Sequence, residues 1–294
     1  MGSDLHIVIV DGDQRLLDAA VDRLDTLERK WSRFLDDSEI SAINRADGAP
    51  VIVSTDTVVL VDGLRHAWEL TDGRFDPTVH DAVVAAGYDA PWPGVRSTSA
   101  LSGVPAPGCW GMRLRTDLGL VQMPRGVRLD AGGLGKGLAA DIVVAELRSR
   151  GARGALVSIG GDLRVSGSSP HGGPWRIDVD HPTDPERVIA TIELADGGIA
   201  TTTSMRRRWR ASDGRAVHHL IEPMSGLPAE RPWQQVTTVS GTAAWAEVAA
   251  KVAFLDGRPP DETTSALILG DDDRCRTEGD PAWFRLVEHA GARS

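Results

Sequence analysis

The sequence predicts a mixed α+β fold in a single domain, and three observations predict it. Amphipathic helical stretches and short apolar strands are interleaved along the chain without the regular strand–helix–strand alternation of a parallel sheet. No internal repeat divides the sequence, and the Pro-, Gly- and Ser-rich stretch 90–107 reads as a surface loop rather than a linker. With 294 residues, 41% hydrophobic and 25% charged, the composition is that of an ordinary globular protein able to bury a large core.

Taken in order, residues 5–10 alternate as a short strand. Between 14 and 31, Leu17, Val21, Leu24, Leu27 and Trp31 recur at helical spacing. Asp37-Ser38 breaks that pattern, and 44–50 reads as loop. A second helix starts after Ser54, capped by Ser54 or Asp56, and carries Val58, Leu64, Ala67 and Trp68. Residues 112–115 and 120–123 form a hairpin joined near Asp117. A glycine-rich turn then opens a helix over 137–150, which Gly151 closes before a buried strand at 155–159. Gly160-Gly161 turns into a strand at 162–165, and 175–180 and 188–194 follow as strands. A strand at 236–239, a strong helix over 242–255 and a last strand at 266–269 complete the pattern.

A formal net charge of -10 argues against nucleic acid or an anionic membrane as a general partner. No apolar run approaches the roughly 20 residues of a membrane span. The start Met1-Gly2-Ser3-Asp4 has no basic segment leading into an apolar one, so a cytoplasmic location is expected. Cys109 and Cys275 stand in no metal-like spacing and are expected to be free thiols.

The richest segment for chemistry is Asp130-Ala131-Gly132-Gly133-Leu134-Gly135-Lys136-Gly137-Leu138-Ala139-Ala140-Asp141. A carboxylate ends a strand, glycines turn the chain, and a helix begins beside a lysine. Backbone N–H groups at such a start attract anions, and glycines let a phosphate come close. The spacing is neither GxGxxG nor GxxxxGK[ST]. From the residues alone, a phosphate site and a tight structural turn with Lys136 solvated remain equally open. Trp31, Trp68, Trp209, Trp233 and Trp245 offer faces for ring stacking, although Trp31 and Trp68 fall on the apolar stripes of their helices. Arg206-Arg207-Arg208 fits either a phosphate or a solvated face.

Several colinear segments carry a more specific signal. The 130–141 run resembles the D-L-G-G-I-A-K-G-Y-A-V-D of ApbE-type FAD:protein FMN transferases, and residues 155–163 resemble the A-L-V-N-L-G-G-D-I that follows it. The Met1-Gly2-Ser3 start, Trp31-Ser32-Arg33-Phe34 with Asp37-Ser38-Glu39-Ile40-Ser41 and Asn44, and Gly73-Arg74-Phe75-Asp76-Pro77-Thr78-Val79 also match in order. So do Ile199-Ala200-Thr201-Thr202 and His219-Leu220-Ile221-Glu222-Pro223-Met224-Ser225-Gly226-Leu227-Pro228. The resemblance spans roughly residues 1–256 and implies one FAD-binding domain over 1–294, of the ApbE flavin-transferase type.

That resemblance implies transfer of FMN from FAD, with Mg²⁺, to a Ser or Thr of a flavin-carrier protein. It places Met1, Phe34, Thr78, Val79, His80, Asp130, Lys136 and Ile221 where FAD is held. It matches His219 to the base that activates the acceptor hydroxyl, a role suited to an imidazole with an ordinary pKa near 6.5. His218 reads as its solvated neighbour. Metal ligation is implied at Gly133 and Glu247, but Lys251 stands where the family has a Thr ligand. A charged ammonium has no lone pair to give a metal. Either Lys251 supplies the positive charge itself or transferase chemistry is lost. A non-enzymatic FAD-binding protein and an FAD pyrophosphatase are therefore the alternative readings. Smaller departures are His80-Asp81-Ala82 after T-V, Glu222 before the proline and Thr203 after A-T-T.

Overall fold

A computed structural model describes residues 4–91, 103–210 and 216–287. Helix α1 (Gln14–Trp31) turns the periodic stripe into burial: Ala20, Leu24, Leu27 and Trp31 face the core, and the Asp13 side chain caps the Leu16 N–H. Helix α2 (Glu39–Arg45) occupies part of what reads in sequence as break and loop. It is short, and Ser38 starts it by accepting from the Ser41 N–H, a cap inside the apparent break. Helix α3 (Thr55–Leu70) follows the predicted second helix, and α4 (His80–Ala85) is a six-residue turn that no apolar period announced. Helices α5 (Gly135–Ser149) and α6 (Ala243–Asp256) lie within two residues of the predicted bounds.

The strands assemble into a seven-stranded sheet in the spatial order Leu5–Val10, Gly154–Ile159, Asp162–Gly167, Asp196–Thr203, Trp233–Ser240, Ser265–Gly270, Cys275–Glu278. Every neighbouring pair is antiparallel. Side chains alternate across it. Ala155, Val157 and Ile159 join the core under the helices, while Leu156 joins a second core on the other face. That second core is closed by a three-stranded sheet, Trp175–Asp180, Val188–Leu194 and Phe284–Leu286. The strand Asp196–Thr203, read in sequence only as part of a motif, sits at the centre of the large sheet.

Helices α5 and α6 cover the first face and touch each other closely. A Cβ on Gly137 would come 2.3 Å from the Ala243 carbonyl oxygen, so only glycine admits this approach. Gly198 admits the same end of α6 onto the sheet. Asp141 of α5 then accepts the Ala243 and Ala244 N–H groups, both at 2.9 Å, and so caps α6 from outside its own chain segment. Cys109 and Cys275 are free thiols. Among the described residues no helix is long and apolar enough to cross a membrane.

Candidate functional site

One cleft collects the end of α1, the turn before α5, the second half of α6 and the loops around 74–79 and 219–223. Its formation follows from local pins. Asn44 of α2 donates to the Leu129 carbonyl at 2.9 Å and accepts the Leu129 N–H at 2.8 Å. Asp130 is thereby fixed one residue later, and its own N–H donates to the Pro77 carbonyl. Arg33 holds the Asp130 carboxylate at 3.0 Å, while its guanidinium lies 4.2 Å over Phe34 and 5.1 Å over Tyr88. Phe34 meets Tyr88 edge-on at 5.7 Å, Trp209 stacks on Tyr88 at 5.9 Å, and the His219 ring lies 6.2 Å from Tyr88. The result is an aromatic wall with a pinned carboxylate at its foot.

The cleft also carries Lys136 and Lys251, two members of a quartet of charges whose carboxylates, Asp162 and Glu247, are buried. Lys136 Nζ pairs with Asp162 at 2.8 Å and also with Glu247. Glu247 is fully buried, and its second oxygen accepts the Gly137 N–H at 2.9 Å. Lys251, one helical turn later, sits 3.4 Å from Glu247 Oε1 and 3.3 Å from the Glu247 carbonyl. Burial would raise Glu247, but the two lysines outweigh it and hold the carboxyl below its usual range. Asp162 is pushed up by burial despite Lys136. Lys136 is pulled down by burial yet ends above its usual value because Asp162 and Glu247 favour its charge. Lys251 is shifted down, by burial first.

His219 is pushed well below the ordinary imidazole range by burial, with the charge of Arg207 adding to the shift. Its buried Nδ1 has no hydrogen-bond partner among the described residues. His218, by contrast, is buried rather than solvated. Its Nε2 donates to the Ala229 carbonyl at 3.0 Å, and its Nδ1 accepts the Leu220 N–H at 3.2 Å. Trp31 is also buried, lines the cleft and has an unpartnered Nε1 among the described residues.

Of the residues singled out from sequence, Phe34, Val79, Asp130, Lys136, His219, Ile221, Gly133 and Lys251 line this cleft. Glu247 lies directly beneath it through Lys136 and Lys251. Met1 lies outside the described residues. Thr78 is buried and spent internally: its hydroxyl donates to Asp76 at 2.6 Å and accepts the Gly108 N–H at 2.8 Å. His80 pairs with its neighbour Asp81 at 2.8 Å and is not part of the cleft wall. Glu222 bridges Arg74 and Arg231, so its longer side chain serves a half-buried ion-pair network. Thr203 donates to the Gln234 carbonyl at 2.8 Å.

The glycine-rich turn takes the tight-turn form, one of the two readings its sequence left open. Leu134 and Gly135 N–H donate to the Ala131 carbonyl, Gly132 N–H to Asp130 and Gly137 N–H to Glu247. These backbone donors are taken by protein acceptors, so positive charge in the cleft comes from side chains. Lys136 is buried in the quartet and not solvated. Sequence reasoning gave no role to Arg33, Arg74, Tyr88 and Asp162, and left Arg207 open between a phosphate contact and a solvated face; all but Asp162 line the cleft. Arg33, Arg74 and Asp162 stand inside matched segments, which was the available signal.

The donors here do not suit Mg²⁺. The ion requires near-octahedral oxygen coordination. Both Glu247 oxygens are engaged, and the Lys251 ammonium stands beside the carboxylate. At an effective dielectric near 20, a divalent ion about 4 Å from that ammonium would be repelled by roughly 8 kcal/mol. Among the described residues no three His, Cys, Asp or Glu side chains converge as ligands. A dinucleotide suits the cleft better: ring faces, unpartnered buried nitrogens on Trp31 and His219, and cationic side chains share one wall-to-wall space.

The ApbE family model matches residues 1–265. The FAD:protein FMN transferase of Vibrio cholerae is 29% identical over 262 residues, covering 84% of this chain and 76% of that protein. The protein of the same name from Salmonella typhimurium is 35% identical over 120 residues, 40% of this chain and 34% of its own length. The ApbE protein of Thermotoga maritima superposes with a TM-score of 0.81 at 26% identity, covering 94% of both chains. Flavin transferase ApbE from Vibrio cholerae superposes at 0.74 with 22% identity over 96% of this chain and 95% of that one, a likeness of fold.

Proposed function

The chain belongs to the ApbE family, and from that premise we propose that it is an FAD:protein FMN transferase, acting on a Ser or Thr hydroxyl of a flavin-carrier protein. The observation that carries this reading is the joining of an aromatic wall, two lysines and an uncharged histidine in one cleft. Phe34 and Tyr88 offer ring faces to the flavin or the adenine. Lys136 and Lys251 stand at the charged end, where a pyrophosphate is favoured.

His219 is the base. Its lowered pKa keeps the ring neutral at physiological pH, so a nitrogen lone pair is available to take a proton. The acceptor hydroxyl oxygen bonds to the FMN phosphorus as its proton passes to His219. The bond from that phosphorus to the bridging oxygen breaks, and AMP leaves with the electron pair. Asp130 acts earlier, fixing Arg33 beneath the Phe34 and Tyr88 rings.

Incubation with FAD and a flavin-carrier domain tests this reading. Covalent flavin fluorescence on the carrier after denaturing electrophoresis is the expected result. Free FMN and AMP without carrier labelling would make the protein a pyrophosphatase, and unchanged FAD would make it a binding protein.

A further inference from the structure

We propose that Lys251 takes the place of a divalent cation at the pyrophosphate of the bound dinucleotide, so that this chain holds FAD without added metal. The proposal rests on the FAD-binding reading above and assigns Lys251 a positioning role in it.

Three observations carry it. First, Lys251 is not needed to satisfy Glu247. That carboxylate already has Lys136 on one oxygen and the Gly137 N–H on the other. The contacts of Lys251 with Glu247, at 3.3 and 3.4 Å, lie at the long edge of hydrogen bonding. An ammonium carries three donors, and this side chain is 23% exposed on the cleft wall, so it has capacity left for an anion.

Second, the fold leaves room for its stem beside the glycine turn. Lys251 Cε would lie 3.3 Å from a Cβ on Gly133, and that same Cβ would come 2.6 Å from the Phe75 ring. A side chain at position 133 would therefore crowd both Phe75 and the lysine stem, and glycine leaves that space open.

Third, Lys251 removes the net negative charge that the carboxylates would otherwise turn toward the ligand. Lys136 and Lys251 offset Asp162 and Glu247, so the quartet is neutral as it stands. Removing Lys251 would leave a net negative cluster facing a dianionic pyrophosphate, the situation that a divalent cation would relieve. With the lysine present, a divalent ion at Glu247 would instead meet the ammonium directly and be repelled by it. The bound dianion in turn favours the charged form of Lys251.

The test is a calorimetric FAD titration of the full chain, after EDTA treatment and again in millimolar Mg²⁺. The unmodified protein should give dissociation constants that agree within about twofold. Lys251→Thr should lose about tenfold or more in EDTA, the loss of one charged contact. Lys251→Thr with Glu247→Asp should recover binding when Mg²⁺ is added, and Lys251→Arg should bind without metal. If the unmodified protein binds FAD only with Mg²⁺, the metal role of Lys251 is overturned while the FAD site stands. If it binds FAD in neither condition, the functional reading falls and this inference with it. Should Lys251→Thr fail to fold, the unmodified protein and Lys251→Arg still decide the question.

Discussion

At the scale of single residues, the neutral His219 and the buried Lys136 make opposite demands on their surroundings. Burial and nearby positive charge disfavour protonation of His219, so its folded pKa lies well below 6.5. The base is active when neutral, and activity is lost only as pH falls through that lowered value. Flavin transfer should therefore stay level between pH 7.5 and 6.5 (about the ordinary imidazole pKa). An acid limb centred above that value would contradict the assignment. His219→Ala should slow transfer by roughly 10²–10⁴ while changing FAD affinity far less. Lys136, in contrast, is charged because two buried carboxylates require it. Lys136→Ala would leave Asp162 without its ion-pair partner and Glu247 with only the more distant Lys251, at a cost of about 3–5 kcal/mol in urea unfolding. A variant of unchanged stability would mean the quartet is not ionised as described. Lys136 thus acts on the fold before it acts on any ligand, which its place in a glycine-rich turn did not reveal.

At the scale of elements, the closeness of α5 and α6 decides where the quartet sits. Gly137 touches the start of α6, and Lys136 and Glu247 face each other one residue and one turn from that contact. Gly137→Ala should destabilise the protein by about 1–3 kcal/mol, because the new methyl meets backbone that cannot step aside. Gly135→Ala, whose Cβ would meet Ala131 at an ordinary 3.7 Å, should be neutral or slightly stabilising. Equal effects in chemical denaturation would contradict the close approach. These helices and most strands were legible because apolar periodicity and glycine punctuation agree there. Helix α2 was not, since its seven residues are too few to establish a period and its cap looked like a break. The strand Asp196–Thr203 was hidden by Gly197 and Gly198; Gly198 is there because a Cβ would strike the start of α6, a packing demand that works against strand propensity. The site was legible as a set of segments, but not as contacts. Thr78, Val79 and His80 are consecutive, yet of the three only Val79 lines the cleft, because the Thr78 hydroxyl is taken by Asp76 and the His80 ring by Asp81.

At the scale of the whole molecule, the cleft joins segments that are far apart in sequence: Trp31 to Phe34, Arg74 to Val79, Asp130 to Lys136, His219 to Pro223 and Lys251 to Leu255. A ligand spanning the cleft would tie α1, α5 and α6 to the loops between them, and only the folded chain presents these segments together. Binding must then stabilise the fold by mass action, by about 2.7 kcal/mol at a ligand concentration 100 times the dissociation constant. For a chain of this size that corresponds to a rise in melting temperature of several degrees. FMN can fill the aromatic end but has no adenosine and only one phosphate to set against Lys136 and Lys251. At equal concentration FAD should therefore raise the melting temperature clearly more than FMN, and ADP should give a smaller rise of its own. Differential scanning calorimetry with the three ligands makes the comparison. Equal shifts from FAD and FMN would mean that the adenosine and the second phosphate contribute nothing to binding.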